Sequence, residues 1–189
     1  MPLYVGLVHF PVYNKHQETI ASAITPLDIH DFARLSKTYG IKGFFVITPL
    51  EDQQALANRI LRHWISGYGA RYNRHRKEAL SLVSVTPSLN LALERVKERE
   101  GDTATTVATD AAKQENRAMS YEALRGLVLS NELVFLLFGT AWGLHEDVLQ
   151  QADHVLEPIS GRSGYNHLSV RTAAAIILDR LVGRPVEYF

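Results

Sequence analysis

Apolar and polar positions follow two rhythms along this 189-residue chain, and the rhythm switches at short intervals. Compact apolar runs at 3–10, 43–48, 80–86, 104–109, 132–138 and 153–157 predict buried strands. The stretches between them repeat apolar residues every third or fourth position and predict helices over 26–39, 49–66, 87–100, 120–130, 144–151 and 168–182. In the last of these, Val170, Ala173, Ala174, Ile177, Leu178 and Leu181 share one face, and Gly183 and Pro185 stop the helix. Strands alternating with helices predict an α/β fold, a mainly parallel sheet of about six strands with helices on both faces.

Three Thr-Pro pairs sharpen the helix starts: Thr25-Pro26, Thr48-Pro49 and Thr86-Pro87. A threonine hydroxyl caps free N–H groups, and proline suits the first helical position because its missing N–H would have no partner there. Asp28 and Glu51 stand three residues after their threonines, one a near-capping box and one a full one. The least regular stretch is 67–79, with Gly67, Gly69 and several polar residues. No segment reads as a linker, repeat or low-complexity tract. One domain over 1–189 is expected, long enough to bury roughly two-thirds of its unfolded surface.

Composition narrows the class. The chain is 46% hydrophobic and 21% charged, as in an ordinary globule. Its longest strong apolar run, Leu133–Phe138, falls far short of the ~18 residues of a membrane span. The apolar start, Leu3–Phe10, lacks the basic residues that precede a signal-peptide core. The absence of cysteine excludes disulfides and thiolate zinc sites and fits a cytoplasmic location. His145-Glu146 lacks the second histidine of a zinc-protease motif, so no metal site is expected.

Net charge is zero but unevenly spread. Residues 1–100 hold 13 Lys/Arg against 9 Asp/Glu, and residues 101–189 hold 7 against 11. Arg59 to Lys77 contains six basic residues and no acid, a local field that suits phosphates.

The candidate chemistry lies in the last sixty or so residues. The run Glu132–Phe138 ends in Gly139-Thr140-Ala141-Trp142-Gly143-Leu144. Asp153–Pro158 then leads into Ile159-Ser-Gly-Arg-Ser-Gly-Tyr-Asn-His167 and the final helix. Two buried strands ending in Gly-rich turns make a cleft lined by backbone, and glycine lets main-chain groups approach a ligand closely. The turns carry neither the Gly-Lys-Ser/Thr of a phosphate loop nor the Gly-x-Gly-x-x-Gly of a dinucleotide fold.

This order and spacing resemble motifs 2 and 3 of the SPOUT superfamily, the trefoil-knotted RNA methyltransferases that use S-adenosylmethionine (SAM). Phe138-Gly139-Thr140 with Gly143-Leu144 matches motif 2, and Leu156–Ile159 through Asn166-His-Leu-Ser-Val170 matches motif 3. A weaker motif 1 is Arg34-Leu-Ser-Lys-Thr-Tyr-Gly40. The chain looks closest to a bacterial stand-alone branch related to the tRNA guanine-N1 methyltransferases. The resemblance implies a C-terminal trefoil knot, which periodicity would not predict because threaded chains are very rare. It also implies a homodimer and SAM as cofactor.

The resemblance places SAM against Phe138, Gly139 and Thr140 on one side, with Thr109 at the end of the fourth strand as the other wall. Leu156, Pro158, Ile159 and Gly161 continue the cleft, and Tyr165, Asn166, His167, Leu168 and Ser169 complete it. It puts Arg34 near the methyl-transfer centre, where a fixed cation holds a phosphate or tunes a nucleophile. Asp110 is the catalytic acid/base choice among Asp31, His30 and His167. Relatives carry a glutamate in or near the motif 2 turn, whereas this chain reads Ala141-Trp142. Trp142 suits either base stacking or core filling.

Cations and rings interleave in the basic stretch: Arg59, Arg62, Tyr68, Arg71, Tyr72, Arg74, Arg76 and Lys77. That mixture suits RNA, with rings stacking on bases and cations on phosphates, although a solvated helix end followed by a loop has the same composition. The expected function is a SAM-dependent RNA methyltransferase acting on tRNA or rRNA. The alternative is a catalytically silent module that binds SAM or RNA.

Overall fold

A computed structural model describes residues 1–114 and 117–184. The chain opens with β1 (Leu3–Val8), β2 (Val12–Tyr13), β3 (Thr19–Ile20), α1 (Pro26–Thr38), β4 (Gly43–Ile47) and α2 (Glu51–Ile65). It continues with α3 (Tyr68–Tyr72), α4 (Arg74–Leu80), β5 (Val83–Thr86), α5 (Leu89–Glu100), β6 (Thr105–Thr109) and β7 (Ala118–Met119). It closes with α6 (Tyr121–Leu129), β8 (Val134–Gly139), α7 (Glu146–Gln151), β9 (His154–Leu156) and α8 (Val170–Val182).

The main sheet runs β5-β4-β1-β8-β6-β9-β7, and every pairing in it is parallel. Its strands are apolar on both faces because both faces are covered. On one face Leu3, Val5, Leu7, Phe44, Val46, Leu136 and Phe138 pack under α1, α2, α4, α6 and α8. On the other, Tyr4, Val8, Phe45, Ile47, Phe135 and Leu137 pack under α5 and α7. Two late strands are inserted between earlier ones: β8 between β1 and β6, and β9 between β6 and β7. None of the described helices is long and apolar enough to cross a membrane.

The structure corrects the sequence reading in four places. The sheet has seven strands rather than six. The extra one, β7, is two residues long, too short to show a period, and exists because Ala118 and Met119 pair with Val155 and Leu156 of β9. Residues 67–79 hold two short helices, not an irregular loop. Asn73 starts α4 by accepting a bond from the Arg76 N–H (2.9 Å), and a Cβ at Gly69 would lie 2.5 Å from the Trp64 ring, so glycine lets α3 press onto α2. In consequence β5 begins at Val83, three residues later than expected.

Helix capping is the fourth correction. Thr25 caps α1 as expected, accepting from the Asp28 N–H at 3.1 Å. Thr48 and Thr86 do not cap helices. Both end buried strands, joined by the Thr48 N–H to Thr86 carbonyl bond (3.0 Å), so they stay in the ladder. Ser88 caps α5 instead, and α2, with Leu50 in the N-cap position, has no side-chain cap. Ser169 caps α8, and the Gly183 N–H closes it on the Asp179 carbonyl; Pro185 lies outside the described residues.

Candidate cofactor and RNA site

In a parallel sheet the loops at the carboxyl ends carry the ligand where the strand order reverses, because backbone groups there are released from the ladder together. Here β8, β6 and β9 end side by side, with Val8 in register with Gly139 and Thr109 with Leu156. Loop 110–114 leaves β6 and loop 157–169 leaves β9. The Asn166 side-chain amide joins them by donating to the Ala111 carbonyl at 3.0 Å. A cavity of about 390 Å³ opens beside these loops, lined by Lys113, Gln114, Glu157, Pro158 and Ser160 from the loops, by Val155 and Leu156 of β9, and by Ala118, Tyr121 and Arg180 of β7, α6 and α8; of the expected cofactor residues only Leu156 and Pro158 line it. That volume lies within the usual range for small-molecule sites.

The expected cofactor residues divide by what their side chains already do. Phe138 and Leu156 are core residues, so only their backbone faces the edge. The Thr109 hydroxyl donates to the Leu137 carbonyl (2.9 Å), and the Thr140 hydroxyl to the Val8 carbonyl (3.0 Å). Pro158 and Ile159 are half-buried, with Ile159 packed on the core. Gly161 has no neighbour near its missing Cβ, and Tyr165, His167 and Leu168 are exposed. Asp110 spends its carboxylate on its own loop, accepting from the Ala112 N–H (3.0 Å) and the Gln114 amide (2.6 Å).

Gly139 is required for a reason internal to the fold. A Cβ there would lie 2.6 Å from the Leu144 backbone nitrogen. Gly139→Ala should therefore lower stability by about 1–3 kcal/mol in denaturant melts, the cost of overpacking a site that cannot yield. Gly161→Leu, by contrast, should melt like the wild type while weakening cofactor binding. Reduced stability of the Gly161 variant would show that its loop packs more tightly than its open surroundings indicate.

Sequence reading missed a second layer beneath this edge. The hairpin β2–β3 is laced to the turn after β8: the Trp142 N–H bonds the Tyr13 carbonyl (3.0 Å), the Tyr13 N–H the Gly143 carbonyl (3.0 Å), and the His145 N–H the Pro11 carbonyl (3.2 Å). This pairing takes up turn backbone and leaves Trp142 58% exposed, so the tryptophan does not fill the core.

A buried chain of polar groups runs alongside. His9 Nδ1 lies 2.9 Å from Ser22 Oγ, which lies 2.5 Å from Thr140 Oγ1. The chain has one direction. Thr140 gives its proton to the Val8 carbonyl, so it accepts from Ser22; Ser22 has then used its proton and accepts from His9. His9 is thus the Nδ1–H tautomer, and its buried Nε2 is a bare acceptor with no partner among the described residues. The only early hint was a histidine closing an otherwise apolar strand.

Burial lowers the His9 pKa to about 4, partly offset by the charge of Asp28. The unfolded chain binds this proton near the ordinary 6.5, so between pH 6.5 and about 4 the unfolded state holds more protons. Stability should fall as pH drops through that window. His9→Asn should flatten the dependence in urea melts, and ¹⁵N spectra at neutral pH should show a protonated Nδ1 and a bare Nε2. A protonated Nε2 would refute the direction of the chain.

Arg34 is exposed on α1 and lines a different cleft, of about 360 Å³, with Lys37, Thr38, Asn73, His75, Arg76 and Ala79. At the start of α8, Arg171 reaches back to α1, 3.2 Å from Asp28 and 3.5 Å from Asp31. The predicted RNA residues spread over three helices. Arg59 and Arg62 are exposed on α2, and Arg71 and Lys77 on α3 and α4. Arg74 is paired with Glu78 at 3.1 Å, and Arg76 sits 4.4 Å above the Trp64 ring. Tyr68 and Tyr72 stack on each other, 75% and 76% exposed.

A parallel sheet with late strands inserted among early ones, and loops joined at its carboxyl edge, is a fold shared with solved methyltransferase structures. The chain belongs to the SAM-dependent RNA methyltransferase family, whose model matches residues 2–183. tRNA (guanine-N(1)-)-methyltransferases of Oleidesulfovibrio alaskensis and Nitratidesulfovibrio vulgaris are each 45% identical to it over 181 residues, 96% of this chain. This chain spans only 42% of the length of either. An uncharacterized protein of Aquifex aeolicus is 34% identical, with 96% of this chain and 89% of that one covered. Solved structures with the same fold include TrmJ from Z. mobilis (TM-score 0.64, 15% identity, 98% of this chain and 70% of that one). Another is the SpoU methyltransferase AviRb from Streptomyces viridochromogenes in complex with AdoMet (TM-score 0.59, 18% identity, 95% and 56%).

Proposed function

We propose that the protein transfers a methyl group from SAM to tRNA or rRNA. The observation that carries this reading is the Asn166–Ala111 bond, which draws loops 110–114 and 157–169 together over the strand ends. The edge fits SAM chemically: it offers half-buried apolar side chains at Pro158 and Ile159, exposed backbone around Gly161, and no phosphate loop. When bound, the cofactor supplies an electrophilic methyl group on a sulfonium. The proposed binding residues are the thirteen from Thr109 to Ser169 named above. Thr109, Phe138, Thr140 and Leu156 act through backbone, since their side chains serve the fold, and Gly139 by keeping its turn closed.

Arg34 is the proposed catalytic cation, placed to hold a phosphate or steady charge at the target nucleotide. Asp110 is the weaker proposal, because releasing its carboxylate for proton transfer would break two loop bonds. Arg34 and the cofactor loops line different cavities of one chain, which supports a homodimer whose partner completes the site. The insertion of β9 between β6 and β7 supports a knotted C-terminus. A cytoplasmic location follows from where its RNA substrates are made. Guanine N1 is not proposed as the target. This chain spans 42% of the length of the relatives with that name, so their activity does not carry over to it, and the turn after β8 has Ala141-Trp142 in place of a carboxylate.

Isothermal calorimetry with SAM tests the reading. Saturable binding that Gly161→Leu weakens is expected. Absence of binding by the folded wild-type protein would remove the enzyme.

A further inference from the structure

The cleft between α1 and α4 is lined by four basic side chains, Arg34 and Lys37 from one helix and His75 and Arg76 from the other. Its remaining walls are Thr38, Asn73 and Ala79, so among the described residues no carboxylate faces the cleft. The carboxylates these helices do carry are engaged elsewhere: Asp28 and Asp31 with Arg171, and Glu78 with Arg74. The guanidinium and ammonium groups of the cleft therefore find no carboxylate partner among the described residues, although such clusters repel and cost stability unless an anion joins them.

Two further observations show that the arrangement is organised. Arg76 is held over the Trp64 ring at 4.4 Å, which pre-places its guanidinium before any ligand arrives. His30, packed edge-on against the same ring, has its pKa lowered first by burial and then by the charge of Arg76, with Asp31 opposing and Arg34 adding a smaller push. The occupant is an oxyanion, and its neighbours say which kind. Asn73 lines the cleft and directly follows Tyr72, whose ring stacks on Tyr68, both exposed to solvent. Cations in a groove beside an exposed aromatic pair are what a nucleic-acid strand requires, with phosphate in the groove and bases on the rings.

We propose that the α1–α4 cleft, built by Arg34, Lys37, His75 and Arg76, binds a backbone phosphodiester of the RNA substrate and sets its register through the adjoining Tyr68–Tyr72 platform. This rests on RNA being the substrate. It divides the basic stretch differently from its sequence: Arg76 joins cations of α1, while Arg59 and Arg62 are left outside.

The test is binding of unfractionated tRNA by fluorescence anisotropy across a salt series. Lys37→Ala should lower the log–log salt slope by about one unit, the signature of one lost phosphate contact. Tyr72→Ala should weaken binding roughly tenfold with the slope nearly unchanged, as expected for a lost stacking partner. Lys97→Ala, on α5 at the opposite face of the sheet, should leave both intact, and all three variants should bind SAM like the wild type. An unchanged slope for Lys37→Ala overturns the proposal. Titration with inorganic phosphate separates the sources: shifts at His75 with phosphate but not with tRNA would make this a small-anion site and overturn it equally. Loss of SAM binding or methyl transfer in the wild type would defeat the enzymatic reading without touching these RNA measurements.

Discussion

Arg34→Ala should reduce methyl transfer at least about a hundredfold while leaving SAM affinity within a few fold. A hundredfold loss corresponds to roughly 2.7 kcal/mol of transition-state stabilisation. The geometry gives the reason for the split. Arg34 is exposed, belongs to α1, and lines the basic cleft instead of the cavity beside the cofactor loops. Removing its guanidinium costs little packing, so the protein should melt as before. Arg34→Lys should recover only part of the rate, because an ammonium cannot present two parallel donors to an oxyanion. Single-turnover transfer from labelled SAM measures this directly, and near-wild-type activity in Arg34→Ala would reduce the residue to a surface charge.

Phe138→Ala should be the most destabilising of these changes, by about 3–5 kcal/mol, the usual cost of emptying a buried phenylalanine site. Its ring is 1% exposed and packs edge-on against Phe32 with centroids 5.5 Å apart, between β8 and α1. Phe32 stacks in turn on Phe44 at 5.2 Å, so the cavity would open where three rings meet. Phe138→Leu should restore most of the stability and bind SAM within a few fold of the wild type, because position 138 serves the cofactor only through its backbone. A large loss of affinity in a stable Phe138→Leu protein would mean that the ring itself reaches the ligand. Equilibrium urea unfolding beside calorimetry separates the two cases.

The central sheet was legible because its strands are buried on both faces: Leu3–Val8, Gly43–Ile47 and Val134–Gly139 read as unbroken apolar runs wherever they pair. Elements built by single interactions were not. Residues 67–79 look irregular until Asn73 is seen capping α4 and Gly69 lying flat on Trp64. β7 is a strand only by virtue of its neighbour β9. The Gly-rich turns were found correctly as segments, yet the reason for Gly139 was internal, a contact with Leu144 that lies five residues ahead. The His9–Ser22–Thr140 chain spans 131 positions in sequence and left no periodic trace. Charge patterning likewise marked the right region, but only the fold shows Arg76 meeting Arg34 and Lys37 across a cleft while Arg74 is neutralised by Glu78.

The measurement that bears most directly on the central claim compares modified nucleosides in total RNA from a strain lacking this gene and from its parent. Loss of one methylated nucleoside from tRNA or rRNA, restored by the wild-type gene and not by the Arg34→Ala form, is the predicted result. It would also name the target atom. Identical nucleoside profiles in the two strains, together with no transfer from labelled SAM to their RNA by the purified protein, would contradict it.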